Sequence, residues 1–401
     1  MIKWIKKIVH KCIVIFNRLI YRLIPVDDHT ILFIAFHGRG YSDNPKAIHQ
    51  AMMKDDRFKD YKFVWAIKHH KSKNLDIPNA KIIEYFSLSY FYYLAHSKIW
   101  VVNCKLPGYV LKKENQIYLQ TWHGTPLKRL AHDIVLSEDA TFYRSQMDAA
   151  SMYKTYDVDV ARYNYMISPN AFCSKIFPSA FAIDPSKLIE TGYPRNDVLS
   201  HINEQDVMNK KKELHLPLDK KVILYAPTWR DNSYVAQGYT FQLKADFRKW
   251  KEILGDDYIV LFKPHYLIIN SFKEDEQLNG FLYSMDATMD IAQLYELSDI
   301  LITDYSSVFF DYAILNRPIY FYMYDLEEYA QDLRGFYLDI HKDLPGKIYR
   351  NEEDLLVDLK NNVFDYEHLK EFNAYFNNKE DGNASKRVID ILYKEINHGV
   401  K

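Results

Sequence analysis

Short runs of apolar residues alternate along the chain with polar, helix-forming stretches. In the first half these runs are 31–36, 63–67, 81–85, 99–103, 117–122 and 165–168. In the second half they are 222–226, 258–262, 300–303 and 319–322. Fully apolar strands separated by helices are typical of buried parallel sheets, because helices cover both faces. The pattern predicts an α/β fold with two parallel-sheet halves of about 180 residues each.

The predicted elements suggest a division of the chain into three parts. Residues 1–28 form an N-terminal helical segment, 29–205 a first Rossmann-like domain and 206–401 a second one. The charged stretch 204–213 is expected to be a surface helix that crosses between the domains. The final amphipathic stretch, 385–396, is predicted to be a closing helix of the second domain.

The N-terminal segment combines apolar residues at helical spacing with positive charge. Residues 1–24 contain six Lys or Arg residues and no acidic residue. Charges interrupt the apolar run too often for a membrane-spanning helix or a secretory signal. The expected structure is an amphipathic helix on an anionic membrane surface, and the alternative is a helix packed on the protein's own core. The predicted membrane-facing residues are Lys3, Trp4, Lys6, Lys7, Lys11, Arg18 and Arg22.

Composition narrows the class of protein. Hydrophobic residues make up 48% of the chain, which excludes disorder as the main state. The net charge of −1 argues against a bulk nucleic-acid binder. Without the six N-terminal cations the remainder carries about −7, so the charge balance describes an acidic body with a basic helix. The three cysteines lie far apart and are predicted to be reduced thiols in the cytosol.

Polar residues concentrate where apolar runs end, which is where ligands bind in parallel α/β sheets. His123 follows one such run and precedes Gly124, a residue that allows a tight turn and close ligand approach. A histidine held there accepts a proton near neutral pH. His265 occupies the matching place in the second half. For both residues the alternative is a structural histidine.

Two adjacent serines, Ser306 and Ser307, follow the apolar run 300–303 and precede an expected short helix. Hydroxyl and N–H groups at a helix start bind phosphate, although a plain helix cap needs only one serine. Asp311 lies one turn further and is expected to orient a hydroxyl or a histidine. No glycine-rich phosphate loop, zinc motif, CxxC pair or DxD pair occurs, so no metal and no cofactor is expected.

Several motifs together resemble one family. They are FHGRGYSDNPK at 36–46, QTWHGTPLK at 120–128, ETGYPRND at 190–197, YAPTWR at 225–230 and TDYSSVFFDY at 303–312. In this order they resemble the CDP-glycerol glycerophosphotransferases of teichoic acid synthesis, of the short wall teichoic acid type. The resemblance covers nearly the whole chain from residue 31.

The resemblance implies a GT-B-like pair of Rossmann-type domains facing a cleft. It implies transfer of glycerol phosphate from CDP-glycerol to a hydroxyl of an undecaprenyl-type lipid-linked saccharide, with release of CMP. In the family pattern His123 is the base, and His265 contacts the donor phosphates. Ser306 and Ser307 bind the pyrophosphate with Asp311 in support, and Arg195 and Asn196 complete the donor site.

The resemblance also implies a peripheral enzyme on the cytoplasmic face of the bacterial membrane. Three alternatives remain open at this point. They are a CDP-ribitol-dependent transferase, a non-catalytic peripheral membrane scaffold, and a conventional transferase of nucleotide sugars. Both primase and polymerase activities fit the motifs.

Overall fold

The computed structural model describes residues 2–73, 75–134, 147–228, 234–235, 238–239, 244–263, 275–286, 289–327 and 335–398. The chain folds into two compact units. The first comprises Met1–His123, Ala150–Asp197 and Asn383–Lys401, and the second comprises Gly124–Ala149 and Val198–Gly382. Each unit is built on a parallel sheet whose strands alternate with helices along the chain, so the predicted fold class is confirmed.

The sheet of the first unit has seven strands. They are β1 (Asp27–Ile34), β2 (Lys62–Ile67), β3 (Ala80–Glu84), β4 (Ser97–Val102), β5 (Ile117–Gln120), β6 (Tyr165–Ser168) and β7 (Leu188–Glu190). Their order is β3-β2-β1-β4-β5-β6-β7, and all neighbours are parallel. The direction of strand addition reverses between β1 and β4. In open parallel sheets such a reversal creates a crevice at the carboxyl ends, where ligands bind.

The sheet of the second unit has six strands in the order β12-β11-β8-β13-β14-β15, again with parallel neighbours. Here the reversal lies between β8 and β13. A separate pair of two-residue strands, β9 and β10, is antiparallel. The ranges are β8 (Lys221–Ala226), β9 (Tyr234–Val235), β10 (Gly238–Tyr239), β11 (Tyr258–Phe262), β12 (Leu282–Ser284), β13 (Ile300–Thr303), β14 (Ile319–Tyr322) and β15 (Ile348–Tyr349).

The helices described in the first unit are α1 (Ile2–Leu23), α2 (Asp43–Met53), α3 (His70–Lys73), α4 (Leu88–His96), α5 (Ala149–Val160) and α6 (Ala171–Phe181), together with the final helix below. Those in the second are α7 (Glu204–Glu213), α8 (Phe247–Leu254), α9 (Ile291–Leu297), α10 (Val308–Ala313), α11 (Glu352–Lys360) and α12 (Tyr366–Phe376). The last helix is α13 (Ala384–His398).

Both sheets are covered on their two faces. The last five residues of β1 and all five of β11 are buried. Because successive strand side chains point to opposite faces, an unbroken run of buried residues requires cover on both sides. This is why the strands are visible in the sequence as continuous apolar runs.

The ten predicted strands are all present, with ends shifted by a few residues. The separate pair β9 and β10 was not predicted. The strands β7, β12 and β15 were not predicted either. They contain two or three residues and lie at sheet edges, where fewer side chains are buried. Such strands form because a neighbour supplies backbone partners, and an apolar run is not needed.

The closing helix α13 belongs to the first unit, whereas the sequence-based division assigned it to residues 206–401. Val388, Ile389 and Leu392 lie in the core that contains Ile31 of β1. At its start, the Oδ1 and Oδ2 atoms of Asp197 accept hydrogen bonds from the backbone N–H groups of Ala384 and Ser385, each at 2.8 Å. The second unit consists of Val198–Gly382 together with the earlier segment Gly124–Ala149. Helical periodicity predicts an apolar face without showing which core the face joins.

Candidate functional site

The reversal point of the first sheet is held together by Asn103, the residue after β4. Its side-chain oxygen accepts a 2.7 Å hydrogen bond from the backbone N–H of Phe36, which follows β1. Its backbone oxygen lies 2.7 Å from Nδ1 of His123, which follows β5. Asn103 is fully buried. The side chain and the backbone carbonyl of Asn103 therefore fix the carboxyl ends of β1, β4 and β5 relative to the His123 ring.

The backbone around this point is left-handed at several non-glycine residues. The φ angles are 44° at Phe36, 57° at His37, 62° at Asp43 and 51° at Trp122. Such conformations cost about 1–3 kcal/mol each and concentrate at functional sites. Gly38 follows with φ of 82°, and a Cβ atom there would lie 2.8 Å from the Cβ of Tyr85. The turn after β1 therefore requires glycine for both conformation and space.

The hydrogen bond to Asn103 determines which nitrogen of His123 carries the proton. A carbonyl oxygen only accepts, so Nδ1 of His123 is the donor. In the neutral ring this leaves the lone pair on Nε2. The side chain is accessible to solvent. A fixed neutral imidazole with an available Nε2 lone pair is the arrangement of a general base.

The surroundings of His123 favour its neutral form. The dense packing around the ring lowers its pKa, and the charge of Arg195 acts in the same direction. The Trp122 ring lies 4.4 Å from the imidazole between ring centroids. The charge of Asp43 and the bond to Asn103 partly oppose the shift. The net direction is a pKa below the ordinary 6.5 of histidine.

Arg195, predicted to contact the donor, lies in the first unit and forms an ion pair there. Its guanidinium is 2.8 Å from Oδ2 of Asp43, and both side chains are largely buried. Asn44, the next residue, accepts from the backbone N–H of Arg195 and donates to the backbone oxygen of Trp122 at 3.1 Å. Asn196 is buried as well. These contacts join Arg195 and Asp43 to the backbone of Trp122, directly before His123.

The reversal point of the second sheet is held together by Asp304, the residue after β13. Its Oδ1 atom accepts a 2.7 Å hydrogen bond from the backbone N–H of Thr228, beyond β8. The hydroxyl of Thr303 donates to the backbone oxygen of Ala226 at 2.8 Å. Asp304 and Thr303 are buried. The carboxyl ends of β8 and β13 are thus fixed to each other directly beside the predicted phosphate site.

The predicted serines lie at this same reversal point. Ser307 is the N-cap residue of α10, but its side chain makes no capping hydrogen bond. Among the residues that the structure describes, the Ser306 hydroxyl accepts one long bond of 3.5 Å, from the backbone N–H of Val308. Both residues are partly exposed, and Asp311 is buried in the first turn of α10. The alternative that these serines are simply helix caps is therefore weakly supported.

Lys263, at the carboxyl end of β11, is the last described residue before the predicted histidine. Its ammonium donates to the backbone oxygens of Asp286 and Met289 at 2.5 and 3.0 Å. Burial lowers its pKa to about 8, against the opposing charges of Asp286 and Asp290. His265 itself lies outside the described residues. Within the described ranges, no group of three His, Cys, Asp or Glu side chains is arranged to hold a metal ion.

The predicted membrane residues lie on α1. The side chains of Lys3, Trp4, Lys6 and Lys7 are outside the described part of the structure. Those of Lys11, Arg18 and Arg22 are exposed. Five apolar side chains of the helix are exposed too, namely Ile8, Ile15, Phe16, Leu19 and Leu23. None of the helices in the described ranges is both long and apolar enough to cross a membrane.

A different side of α1 contacts the body of the first unit. The side-chain amide of Asn17 donates to the backbone oxygen of Tyr109 at 2.8 Å, and Asn17 is 3% exposed. The Tyr21 hydroxyl donates to the backbone oxygen of Lys112 at 2.8 Å. The helix is therefore packed on the protein while its apolar residues remain exposed. The contacts of Asn17 and Tyr21 agree with the alternative of a helix packed on the protein, and membrane contact stays a prediction.

Three residues of these sites carry no sequence-based prediction of a role: Asn103, Asp43 and Asp304. Each has a polar side chain that is buried or pairs with a buried group near a strand end. A polar residue directly after an apolar run was the available signal for Asn103 and Asp304. Asp43 lies in the motif at 36–46, but its pairing was not visible in the sequence because its partner Arg195 is 152 residues away.

Comparison with known proteins gives consistent matches. The family model described as CDP-Glycerol:Poly(glycerophosphate) glycerophosphotransferase matches residues 15–394. The teichoic acid glycerol-phosphate transferase of Staphylococcus aureus is 37% identical over 401 residues, which are 97% of this chain and 99% of that protein. The teichoic acid poly(glycerol phosphate) polymerase of Staphylococcus epidermidis is 40% identical over 95% of this chain. The chain spans 53% of the length of that polymerase.

A solved structure shows the same fold. The wall teichoic acid polymerase TagF, in a variant soaked with CDPG, superposes with a TM-score of 0.88 and 37% sequence identity. The match covers 100% of this chain and 98% of that one. The family match extends over nearly the whole chain and includes both reversal-point sites. The chain therefore belongs to the CDP-glycerol:poly(glycerophosphate) glycerophosphotransferase family.

Proposed function

We propose that this protein transfers glycerol phosphate from CDP-glycerol to a hydroxyl of a lipid-linked teichoic acid precursor and releases CMP. The observation that carries the proposal is the fixed neutral imidazole of His123, with its lone pair on Nε2. A hydroxyl nucleophile has a pKa far above 7 and needs a base at the moment of attack. Family membership supplies the donor and the acceptor class.

In this mechanism His123 takes the proton of the acceptor hydroxyl as its oxygen attacks the phosphorus that bears glycerol. The bond between that phosphorus and the bridging oxygen breaks, and CMP leaves with the electron pair. The acceptor then carries one more phosphodiester, and the proton resides on His123 Nε2. The Trp122 and Phe36 rings, 4.4 and 5.6 Å from the imidazole between centroids, keep the ring in place.

The second unit is proposed to bind the donor. The hydroxyls of Ser306 and Ser307 and the N–H groups at the start of α10 are hydrogen-bond donors that suit a pyrophosphate. This role is supported by the side chain of Ser307, which makes no capping hydrogen bond to the helix. His265 is proposed to stabilise the charge that develops on CMP, with Asp311 in support. Arg195 and Asn196 are also proposed to contact the donor.

No resident metal or cofactor is part of the proposed mechanism. The residues named above supply the base and the phosphate donors from side chains and backbone. This expectation is tested by assaying the dialysed protein with and without EDTA. Loss of CMP release that a divalent cation restores would overturn it.

We further propose that α1 lies on the cytoplasmic face of the membrane, where the lipid-linked acceptor is found. The support is the combination of exposed apolar residues such as Leu19 and Leu23 with the exposed cations Lys11, Arg18 and Arg22. Apolar side chains enter the headgroup boundary while cations attract anionic lipids. The bonds of Asn17 and Tyr21 keep the helix attached to the first unit.

The activity is tested by measuring CMP release from purified CDP-glycerol, CDP-ribitol and UDP-sugars in the presence of a lipid-linked acceptor. We expect release with CDP-glycerol. Release only with CDP-ribitol or transfer only from a UDP-sugar would assign one of the alternative transferases. No release with any donor would favour the scaffold. The product length on a defined acceptor distinguishes a primase from a polymerase.

A further inference from the structure

Four basic residues follow neighbouring strands of the first sheet, beside His123. His37 and Arg39 follow β1, Lys68 follows β2, and Lys105 follows β4. We call these four residues the basic cluster. In the sheet β1 lies between β2 and β4, so the three strand ends are adjacent. The cluster therefore lies across the reversal point, where the fold places ligands.

Backbone contacts hold the cluster together. The backbone N–H of Lys68 donates to the oxygen of Gly38 at 2.7 Å. The backbone N–H of His37 donates to Sγ of Cys104 at 3.2 Å, directly before Lys105. Asn103, one residue earlier, binds His123. A continuous set of contacts thus joins the basic cluster to the proposed base.

The charged groups of the cluster act on His37. Burial lowers the pKa of His37 to about 4, and the charges of Lys68, Arg39, His123 and Lys105 contribute to the shift. His37 is therefore neutral at physiological pH. It lies among cations, and it is able to donate one hydrogen bond without adding a charge.

Lys105 is held in a way that leaves it suited to an anion. Its ammonium donates to the Thr155 hydroxyl at 2.5 Å and lies 3.9 Å from the centroid of the Tyr156 ring. Burial lowers the pKa of Lys105. An ammonium has three donor hydrogens, and partial burial removes water that would otherwise bind them. An anion that is bound where this water would be stabilises the charge of the Lys105 ammonium.

The carboxylates that act on this region have arginine partners of their own. Asp159, whose charge acts on Lys105, pairs with Arg162 at 2.6 Å. Asp43, whose charge acts on His123, pairs with Arg195 at 2.8 Å. No ion pair joins Lys105 to a carboxylate among the residues that the structure describes. Both carboxylates are thus already paired with arginines.

We propose that the basic cluster binds a phosphodiester of the acceptor chain, next to the hydroxyl that His123 deprotonates. The inference rests on the proposed function, since it assigns the acceptor of the same reaction. It implies a preference for acceptors that already end in glycerol phosphate over acceptors whose terminal hydroxyl belongs to an uncharged sugar. The ammonium and guanidinium groups supply charge-assisted hydrogen bonds to the phosphate oxygens.

The test compares Lys105→Gln and Arg39→Gln with the wild-type protein in steady-state CMP release. Arg39 is exposed, so its variant keeps the test valid if Lys105→Gln does not fold. Lys81→Gln is the matched control, because Lys81 is exposed at the amino end of β3, opposite the cluster along the strands. The acceptor is a lipid-linked disaccharide that carries glycerol phosphate. The donor concentration is varied in a second series.

We expect each cluster variant to raise the KM for the acceptor by about 10-fold to 100-fold, with the KM for CDP-glycerol unchanged. Lys105→Arg is expected to recover much of the loss, and Lys81→Gln to match the wild type. An increase in the donor KM alone would assign the cluster to the donor phosphates and overturn the proposal. Unchanged KM values for both substrates in the folded variants would overturn it too.

A direct binding measurement separates this inference from the proposed function. A soluble glycerol-phosphate oligomer is titrated into the wild-type protein and into Lys105→Gln by calorimetry. Weaker binding by the variant supports the cluster even if the wild type releases no CMP from CDP-glycerol, a result that would refute the proposed activity alone. Equal binding by both proteins would contradict the cluster regardless of activity.

Discussion

At the scale of single residues, the proposed base depends on its neighbours more than on its own motif. The sequence predicts His123 from its place after an apolar run. It does not predict that Asn103 fixes the proton on Nδ1, or that Asp43 pairs with Arg195 nearby. Those contacts join residues that are 20 and 152 positions apart. Local patterns identify the chemistry of a side chain, whereas its protonation state depends on the fold.

The pKa of His123 leads to a prediction for pH dependence. Only neutral His123 accepts a proton, and its pKa lies below 6.5 in the folded protein. The base form therefore predominates at neutral pH and is lost as the pH falls through the lowered pKa. We expect the acidic limb of kcat/KM to lie below pH 6.5.

The variant Asp43→Asn is expected to shift the acidic limb of the same pH profile. The charge of Asp43 raises the pKa of His123, so its removal moves the acidic limb to lower pH. Titration of the His123 ring by NMR gives the same quantity without turnover. An acidic limb above pH 6.5 in the wild type, or a shift to higher pH in the variant, would contradict this assignment.

At the scale of elements, strands of four or more residues were predictable and shorter strands were not. Residues 31–34 of β1 and all five residues of β11 are apolar and buried, while β15 has two residues and depends on β14 for its pairing. The start of α10 was predictable as a serine-rich strand end. Its lack of a side-chain cap at Ser307 is a property of the folded backbone.

The start of α10 gives a prediction for donor binding. Replacing Ser306 and Ser307 together by alanine removes two hydroxyl donors to the pyrophosphate. Since a hydrogen bond to a charged group contributes about 1.5–3 kcal/mol, we expect the Kd for CDP-glycerol to rise at least 10-fold. Calorimetry measures the Kd, with Ser284→Ala at the exposed end of β12 as the control. An unchanged Kd in the folded double variant would remove the serines from the phosphate site.

The start of α13 gives a prediction for stability. Asp197 accepts hydrogen bonds from two backbone N–H groups at the first turn of the helix. Its replacement by alanine leaves both without this partner, and loss of a cap typically costs about 0.5–2 kcal/mol. We expect urea-induced unfolding to shift by that free energy. Asp256→Ala, at an exposed position, serves as the control, and equal destabilisation by both variants would argue against a specific cap.

At the scale of the whole molecule, charge is distributed unevenly along the chain. The N-terminal 24 residues carry six of the basic groups, and the remainder is acidic overall. The exposed apolar residues of α1 accompany that charge. The net charge argued against a bulk nucleic-acid binder, and this local concentration of basic and apolar residues leaves an anionic membrane surface as a candidate partner.

Membrane association is tested by changing two apolar residues of α1 that are largely exposed. Leu19→Glu with Leu23→Glu places two charges on side chains that are 61% and 81% exposed. Because each large apolar side chain contributes about 1.5–3 kcal/mol on burial, we expect binding to anionic vesicles to weaken at least 10-fold. Val357→Glu, at an exposed apolar position on α11, is the control. Equal sedimentation of all three proteins would show that α1 is not the membrane contact.

The role of His123 as the base is tested by the turnover of the variant His123→Ala. CMP release from CDP-glycerol is measured with a lipid-linked acceptor, and the Kd for CDP-glycerol is measured on the same preparation. His29→Ala, at an exposed position of the first unit, serves as the control. If His123 is the base, kcat falls by about 10²-fold to 10⁴-fold while the donor Kd stays near the wild-type value. Turnover within a few-fold of the wild type would show that another group deprotonates the acceptor.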